Sequence, residues 1–170
     1  MFEILNVEQN PEKLSVFRNR ILTTSPTERG LLVLKPHAFA DDHFTRMVLD
    51  TVQNLGFETA ASPRIMQNEA EVDLLHTILT IDDQVYGNGW KANVYAESLS
   101  GPFYGIGLIG AAASSWSLEY KRYIRDWLCP SINGNREIVR NFIHTPDDIG
   151  GDNPQEFVNT VDLFFPEILD

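Results

Sequence analysis

Gly30-Leu-Leu-Val-Leu34 is an almost unbroken apolar run, closed by Lys35 and Pro36. Successive side chains of a strand point to opposite faces, so a strand that is apolar at every position is buried on both. The run therefore predicts a central strand in a layered structure. The next segment has helical spacing. Asp41 and Asp42 are candidate N-caps for a helix that runs to Leu55, with Phe44, Met47, Val48, Val52 and Leu55 inward and Gly56 at C′. Phe57 to Met66 reads as a second strand, and Pro63 assigns it to a sheet edge because proline cannot donate to a ladder.

The same pattern continues to the end of the chain. Residues 68–79 read as a helix with Val72, Leu75 and Leu79 inward. Residues 80–100 are mixed, with a turn at Tyr86-Gly-Asn-Gly89 and a short helix after it. Residues 103–110 suit a strand. Residues 115–128 suit a helix carrying Trp116, Tyr120, Ile124 and Trp127, stopped by Pro130. Ile138 to His144 is a short apolar strand. Asn153-Pro-Gln-Glu156 opens the last helix as cap, N1 residue and capping-box partner, and Phe157, Val158, Val161 and Phe164 or Phe165 form its buried face. Upstream of all this, Leu14, Phe17, Ile21 and Leu22 share a helical face that Pro11 opens and residues 23–27 close. That helix is expected to pack on the domain or on a partner. Strands interleaved with helices exclude an all-α or all-β fold.

At 170 residues and 43% apolar content, one domain with a substantial core is expected. The formal charge of −11 argues against non-specific nucleic-acid binding and against docking on anionic membranes. It leaves room for nucleotides in a local cationic pocket. The single Cys129 has no intrachain partner, which points to a reducing compartment. The first residues lack a basic segment followed by an apolar one, so the expectation is a soluble, cytoplasmic protein.

Gly105-Ile-Gly-Leu-Ile-Gly110 satisfies G-x-G-x-x-G, and Asp126 lies at the distance of a ribose-binding acid. The glycines, however, sit inside the apolar run instead of after it. Too little chain remains for a second βαβ half, so glycine in a packed strand is the better reading. His37 and His43 flank Asp41 and Asp42 with no further ligand cluster, and no metal site is assigned to them. His144 stands apart, at the end of an apolar strand and before the loop Thr-Pro-Asp-Asp, where functional side chains concentrate.

Four stretches, in order, resemble the nucleoside diphosphate kinase family: Glu28-Arg29 with the strand to Lys35-Pro36, Ser100-Gly101-Pro102, Arg140-Asn141-Phe-Ile-His144-x-x-Asp147, and Leu163-Phe-Phe-Pro-Glu167-Ile-Leu. They span residues 28–169. The resemblance implies an α+β ferredoxin-like sandwich over residues 30–170, a four-stranded antiparallel sheet covered by helices, with residues 1–29 as an N-terminal extension. It implies phosphoryl transfer from a nucleoside triphosphate to a nucleoside diphosphate, ping-pong, through a phosphohistidine at His144. Lys35 would contact the nucleotide and Trp90 would stack on the base. Arg122 and Arg125 match two basic residues, the second on phosphate. Ser131 matches a phosphate-binding threonine and Asn141 a residue that bonds the sugar and phosphate region. Mg²⁺ would enter bound to nucleotide phosphates, and like chains would assemble into a homo-oligomer.

The chain also departs from that family. Pro146 replaces a serine hydroxyl of the site. Thr160 stands where the family has a glutamate that orients the histidine, leaving Glu156 or Asp148 to substitute. The segment between Ser131 and Asn141, which in the family supplies a phosphate-binding arginine and helps build the oligomer, is markedly shorter, with Arg136 the only nearby replacement for that arginine. Two further readings stay open: a nucleotide-binding or interaction module of the same fold without efficient turnover, and a phosphohistidine enzyme with another acceptor.

Overall fold

The computed structural model describes residues 10–75, 90–128, 143–146 and 154–167. Helix α1 spans Pro11–Thr23; the Asn10 side chain caps it by accepting from the Lys13 amide. A 3₁₀ turn at Pro26–Glu28 leads into β1 (Arg29–Leu34), the one-turn helix α2 (Pro36–Phe39) and α3 (Asp42–Asn54). Then come β2 (Glu58–Arg64), α4 (Glu69–Leu75), α5 (Trp90–Ser98), β3 (Phe103–Ile109) and α6 (Ala113–Tyr123). Helix α6 continues into a π-helical turn at Ile124–Leu128, and β4 (Ile143–His144) and α7 (Pro154–Phe164) complete the described elements.

The strands lie in the order β2-β3-β1-β4, with every pair antiparallel. This is the ferredoxin-like sandwich expected from the sequence, with β1 central and β2 at an edge. All six residues of β1 are buried, because helices cover both faces of the sheet. Leu32 and Leu34 pack with Phe44, Val48 and Val52 of α3 and Tyr120 of α6. Leu31 and Val33 face the other way, into a core built by α1, α4 and α7 through Phe17, Ile21, Val72, Leu75, Phe157 and Val161.

Helix α1 belongs to that second core. Arg18 donates to the Phe165 carbonyl at 3.0 Å and pairs with Asp162, while Arg20 pairs with Glu58. The buried Arg29 guanidinium donates to the Leu22 carbonyl at 3.2 Å near the helix C-terminus and lies 4.3 Å from the Phe157 ring centre. A cation is favoured at that end of the helix dipole.

The glycine string lies within β3, and close approach of helices explains it. A Cβ on Gly105 would fall 2.3 Å from Phe164 Cγ, and one on Gly107 2.5 Å from Phe17 Cε1. Both positions admit only glycine because an aromatic ring occupies the side-chain space. A Cβ on Gly30 would meet the Ala113 carbonyl and Ser117 Oγ, each at 2.7 Å, so α6 rides directly on β1.

Several boundaries differ from the sequence reading. The second strand is two residues shorter at its C-terminal end and starts at Glu58, and Leu55, expected inward, is 52% exposed where α3 ends. Helix α6 begins at Ala113 instead of 115: Ala112 holds the N-cap position at φ 60° without a capping side chain, whereas Ser114 and Ser115 look more like a helix start. Its last residues, 124–128, form a π turn and not α-helix. Of the helix read over 68–79 the described part is Glu69–Leu75, and of the strand read over 138–144 it is Ile143–His144. Leu79, Cys129, Asn153 and the turn at 86–89 lie outside the described residues. Among the described residues, no helix is long and apolar enough to cross a membrane.

Candidate active site

The site forms where β1 and β4 meet. Val33 pairs with His144 and Leu34 with Ile143. Side-chain alternation sends Ile143 into the core beneath α3 and α6, and carries His144 to the side of Val33, where α4 and α7 pack. The imidazole is nearly enclosed, with 12% of the side chain exposed.

Glu156, in the first turn of α7 and 8% exposed at its side chain, places Oε1 3.0 Å from His144 Nε2. In a neutral imidazole Nε2–H donates to this carboxylate, which leaves the lone pair on Nδ1. Thr160, the position expected to lack an orienting acid, is fully buried one turn further on, its hydroxyl donating to the Glu156 carbonyl at 2.8 Å. The carboxylate thus comes from one turn earlier on the same helix. Asp148, the other candidate, lies outside the described residues.

Burial holds the His144 pKa well below the ordinary histidine value, and the positive charges of Lys121 and Lys35 push it further down. A hydrogen bond to the Leu75 backbone opposes them without prevailing. The ring is therefore neutral at pH 7. Where the Glu156 carboxylate and a peptide carbonyl compete for its single proton, the charged acceptor makes the stronger bond.

Lys35 follows β1 and takes the N-cap position of α2. Burial, then the charge of Lys121, lower its pKa to about 8, with Glu97 acting in the opposite direction. Lys35 and His144 are thus brought together. Arg122 is exposed on α6, and Arg125, in the π turn, is tied to the neighbouring Asp126 at 3.0 Å near the surface. The charges that act most on His144 are those of Lys121 and Lys35, and those on Lys35 are Lys121 and Glu97; neither arginine is among them. Trp90 opens α5, but its side chain lies outside the described residues, as do Ser131 and Asn141.

Lys121 belongs to no motif in the sequence, yet a signal for it is present. Ala113, Ser117 and Lys121 form an i, i+4, i+8 stripe, and the first two rest on Gly30. Among the described residues no group of three His, Cys, Asp or Glu gathers to hold a metal, and His37 instead faces Glu97 at 4.0 Å on the surface. Pro146 is buried beside His144, and the adjoining Thr145 hydroxyl is buried without a hydrogen-bond partner.

A four-stranded antiparallel sheet covered by helices, in this strand order, is the fold of nucleoside diphosphate kinases. Solved structures share it. The nucleoside diphosphate kinase of Aquifex aeolicus, in an orthorhombic crystal form, aligns with a TM-score of 0.53 at 18% identity, over 84% of this chain and 99% of that one. The apo enzyme of Encephalitozoon cuniculi aligns with a TM-score of 0.52 at 16% identity, over 77% and 87%. At these identities the likeness is one of fold. No protein-family model matches the chain, and no curated protein matches it.

Proposed function

We propose that this protein moves a phosphoryl group between nucleotides through a phosphohistidine at His144. The observation that carries the reading is the arrangement of the ring: neutral, nearly enclosed, and bonded through Nε2 to Glu156. That leaves Nδ1 as the nucleophile. The Nδ1 lone pair attacks the γ-phosphorus of a nucleoside triphosphate, the bond to the bridging oxygen breaks, and the diphosphate leaves with the electron pair. A terminal oxygen of an incoming nucleoside diphosphate then attacks the phosphohistidine. The P–N bond breaks and neutral His144 returns. Lys35 contributes positive charge to the phosphates, since such transfer depends mainly on positioning and charge stabilisation. Mg²⁺ would arrive bound to the nucleotide substrate and add positive charge at its phosphates. Nucleoside di- and triphosphates are the partners of this reading, with a homo-oligomer as the working assembly.

A second reading is favoured by the hydrogen bond between the ring and the Leu75 backbone, which a bare nucleophile would not need. In it the chain binds nucleotides and turns over slowly or not at all. Incubation with γ-labelled ATP and Mg²⁺, beside His144→Ala, separates the two. The kinase reading expects an acid-labile, base-stable label on the native protein alone, discharged to GTP by GDP. Absence of label with ADP still bound would replace it with the binding module; label that GDP cannot discharge would assign a different acceptor.

A further inference from the structure

We propose that Thr160 is a positioning residue: from one turn behind, it holds the Glu156 carboxylate on His144. The inference rests on the phosphoryl-transfer reading and deepens it, giving a task to the position where the resemblance expected the orienting acid itself.

The geometry begins with one row of the sheet. Gly105 on β3 pairs with Val33 on β1, and Val33 pairs with His144 on β4. Residues directly opposite one another on antiparallel strands share a face, so the whole row looks toward α7. Helix α7 meets both ends of it. Phe164 fills the space above Gly105, where a Cβ would fall 2.3 Å from the Phe164 Cγ, and Glu156 lies 3.0 Å from His144 Nε2. Glu156, Thr160 and Phe164 form an i, i+4, i+8 stripe. Each step along it advances about 6 Å, against a strand spacing of about 4.8 Å. The helix thus crosses the strands, and Thr160 falls over the middle position, Val33; both residues are fully buried. An acid at 160 would lie over this apolar residue, one strand short of the imidazole. The acid one turn earlier reaches it.

The Thr160 hydroxyl supplies the second observation. It donates to the Glu156 carbonyl at 2.8 Å. That carbonyl already belongs to the ladder of the helix, where an amide four residues on serves it. The hydroxyl bond is therefore additional. Bonds of this kind often bend a helix and slightly destabilise it, so the gain from this one is positional. It is a second tether between the turn buried over Val33 and the turn that carries Glu156. The first turn of a helix is where fraying begins. Here that turn must keep a carboxylate oxygen on one ring nitrogen, and the tether removes the freedom that would break the contact.

The test compares Thr160→Val, which keeps the side-chain shape and removes the hydroxyl, with Thr160→Ser, which keeps the hydroxyl. Imidazole ¹⁵N shifts report the His144 tautomer, rapid-quench labelling with γ-labelled ATP reports phosphoenzyme formation, and melting is followed alongside. In Thr160→Val the signature of protonated Nε2 should weaken and labelling should slow by about two- to tenfold, the worth of one neutral hydrogen bond, with melting close to native. Thr160→Ser should restore both. A threonine that only filled space would change the melting and leave the ¹⁵N signature alone. Gly105→Ala tests the seat of α7 by a second route: the new Cβ displaces Phe164, the Nε2 signature should weaken, and Phe164→Leu in the same chain should bring it back. Native ¹⁵N shifts in Thr160→Val, whatever its melting temperature, would overturn the assignment, and native shifts in Gly105→Ala would overturn the seat on which it stands. A native chain that takes no label, while Thr160→Val still alters the ¹⁵N signature, would overturn the phosphoryl-transfer reading and leave Thr160 in its role.

Discussion

Glu156→Ala tests whether the carboxylate on α7 sets the tautomer of His144. Native Oε1 lies 3.0 Å from Nε2, with both side chains close to fully buried. Truncation leaves the Nε2–H donor without its charged acceptor in a site that water barely reaches. An orphaned buried donor costs about 1–3 kcal/mol, which corresponds to roughly 5- to 150-fold in the population of the competent tautomer. Phosphoenzyme formation, followed by rapid quench with labelled ATP, should slow by a factor in that range. Glu156→Gln keeps an oxygen that can accept from Nε2–H but removes the charge, so its rate should fall between the two. Imidazole ¹⁵N shifts give a readout independent of turnover: the signature of protonated Nε2 should weaken in the alanine variant and persist in the glutamine variant. Melting must be followed in parallel, because an acid in the first turn of α7 also contributes about 0.3–1 kcal/mol through the helix dipole. If folded Glu156→Ala takes label at the native rate with unchanged ¹⁵N shifts, Glu156 does not orient the ring and the argument for Nδ1 as nucleophile fails.

Asp41→Ala removes the carboxylate that accepts from the Phe44 amide at 3.0 Å, and urea denaturation should show a loss of about 1 kcal/mol, typical of an N-cap. Phe17→Ala empties a site where the ring, 5% exposed, fills the space above Gly107 and lies 5.4 Å from the Phe165 ring centre; a loss of about 3–5 kcal/mol is expected, and a change below about 1 kcal/mol would mean that α1 is not part of the core. Because the Lys35 pKa is lowered to about 8, MgADP affinity should hold up to neutral pH and fall above 8, whereas Lys35→Arg should bind equally at pH 7 and 9. The linked effect on stability has a definite sign: the unfolded chain binds more protons than the folded one between pH 8 and the ordinary lysine value, so this group makes the fold more stable as pH rises through that window.

The parts of the fold legible in the sequence are those where one residue type has one physical solution. An apolar β1 needs cover on both faces, Pro63 needs an edge, and Asp41 before an apolar-periodic segment needs a helix to cap; each is found. Reading failed where an interaction is set by another element. Ala112 in a left-handed conformation starts α6 because the helix must seat on Gly30, and no local capping rule contains that constraint. Lys121 looks like one more cation on a solvated helix until the same seating carries it toward the end of β1. Glu156 reads from the sequence as a capping-box partner of Asn153 or as a substitute for the histidine's orienting acid, and the register that brings α7 onto His144 shows its bond to the imidazole. The strand-end histidine could be found from sequence because its place in β4 is local. The groups that tune it come from α4, α6, α7 and the β1–α2 junction, four elements distant in sequence, and only the packing of those elements assigns them. That dispersion also makes the site separable by experiment. Glu156 acts on the tautomer, Lys121 and Lys35 on charge, and substitution of one should leave the signature of the other intact.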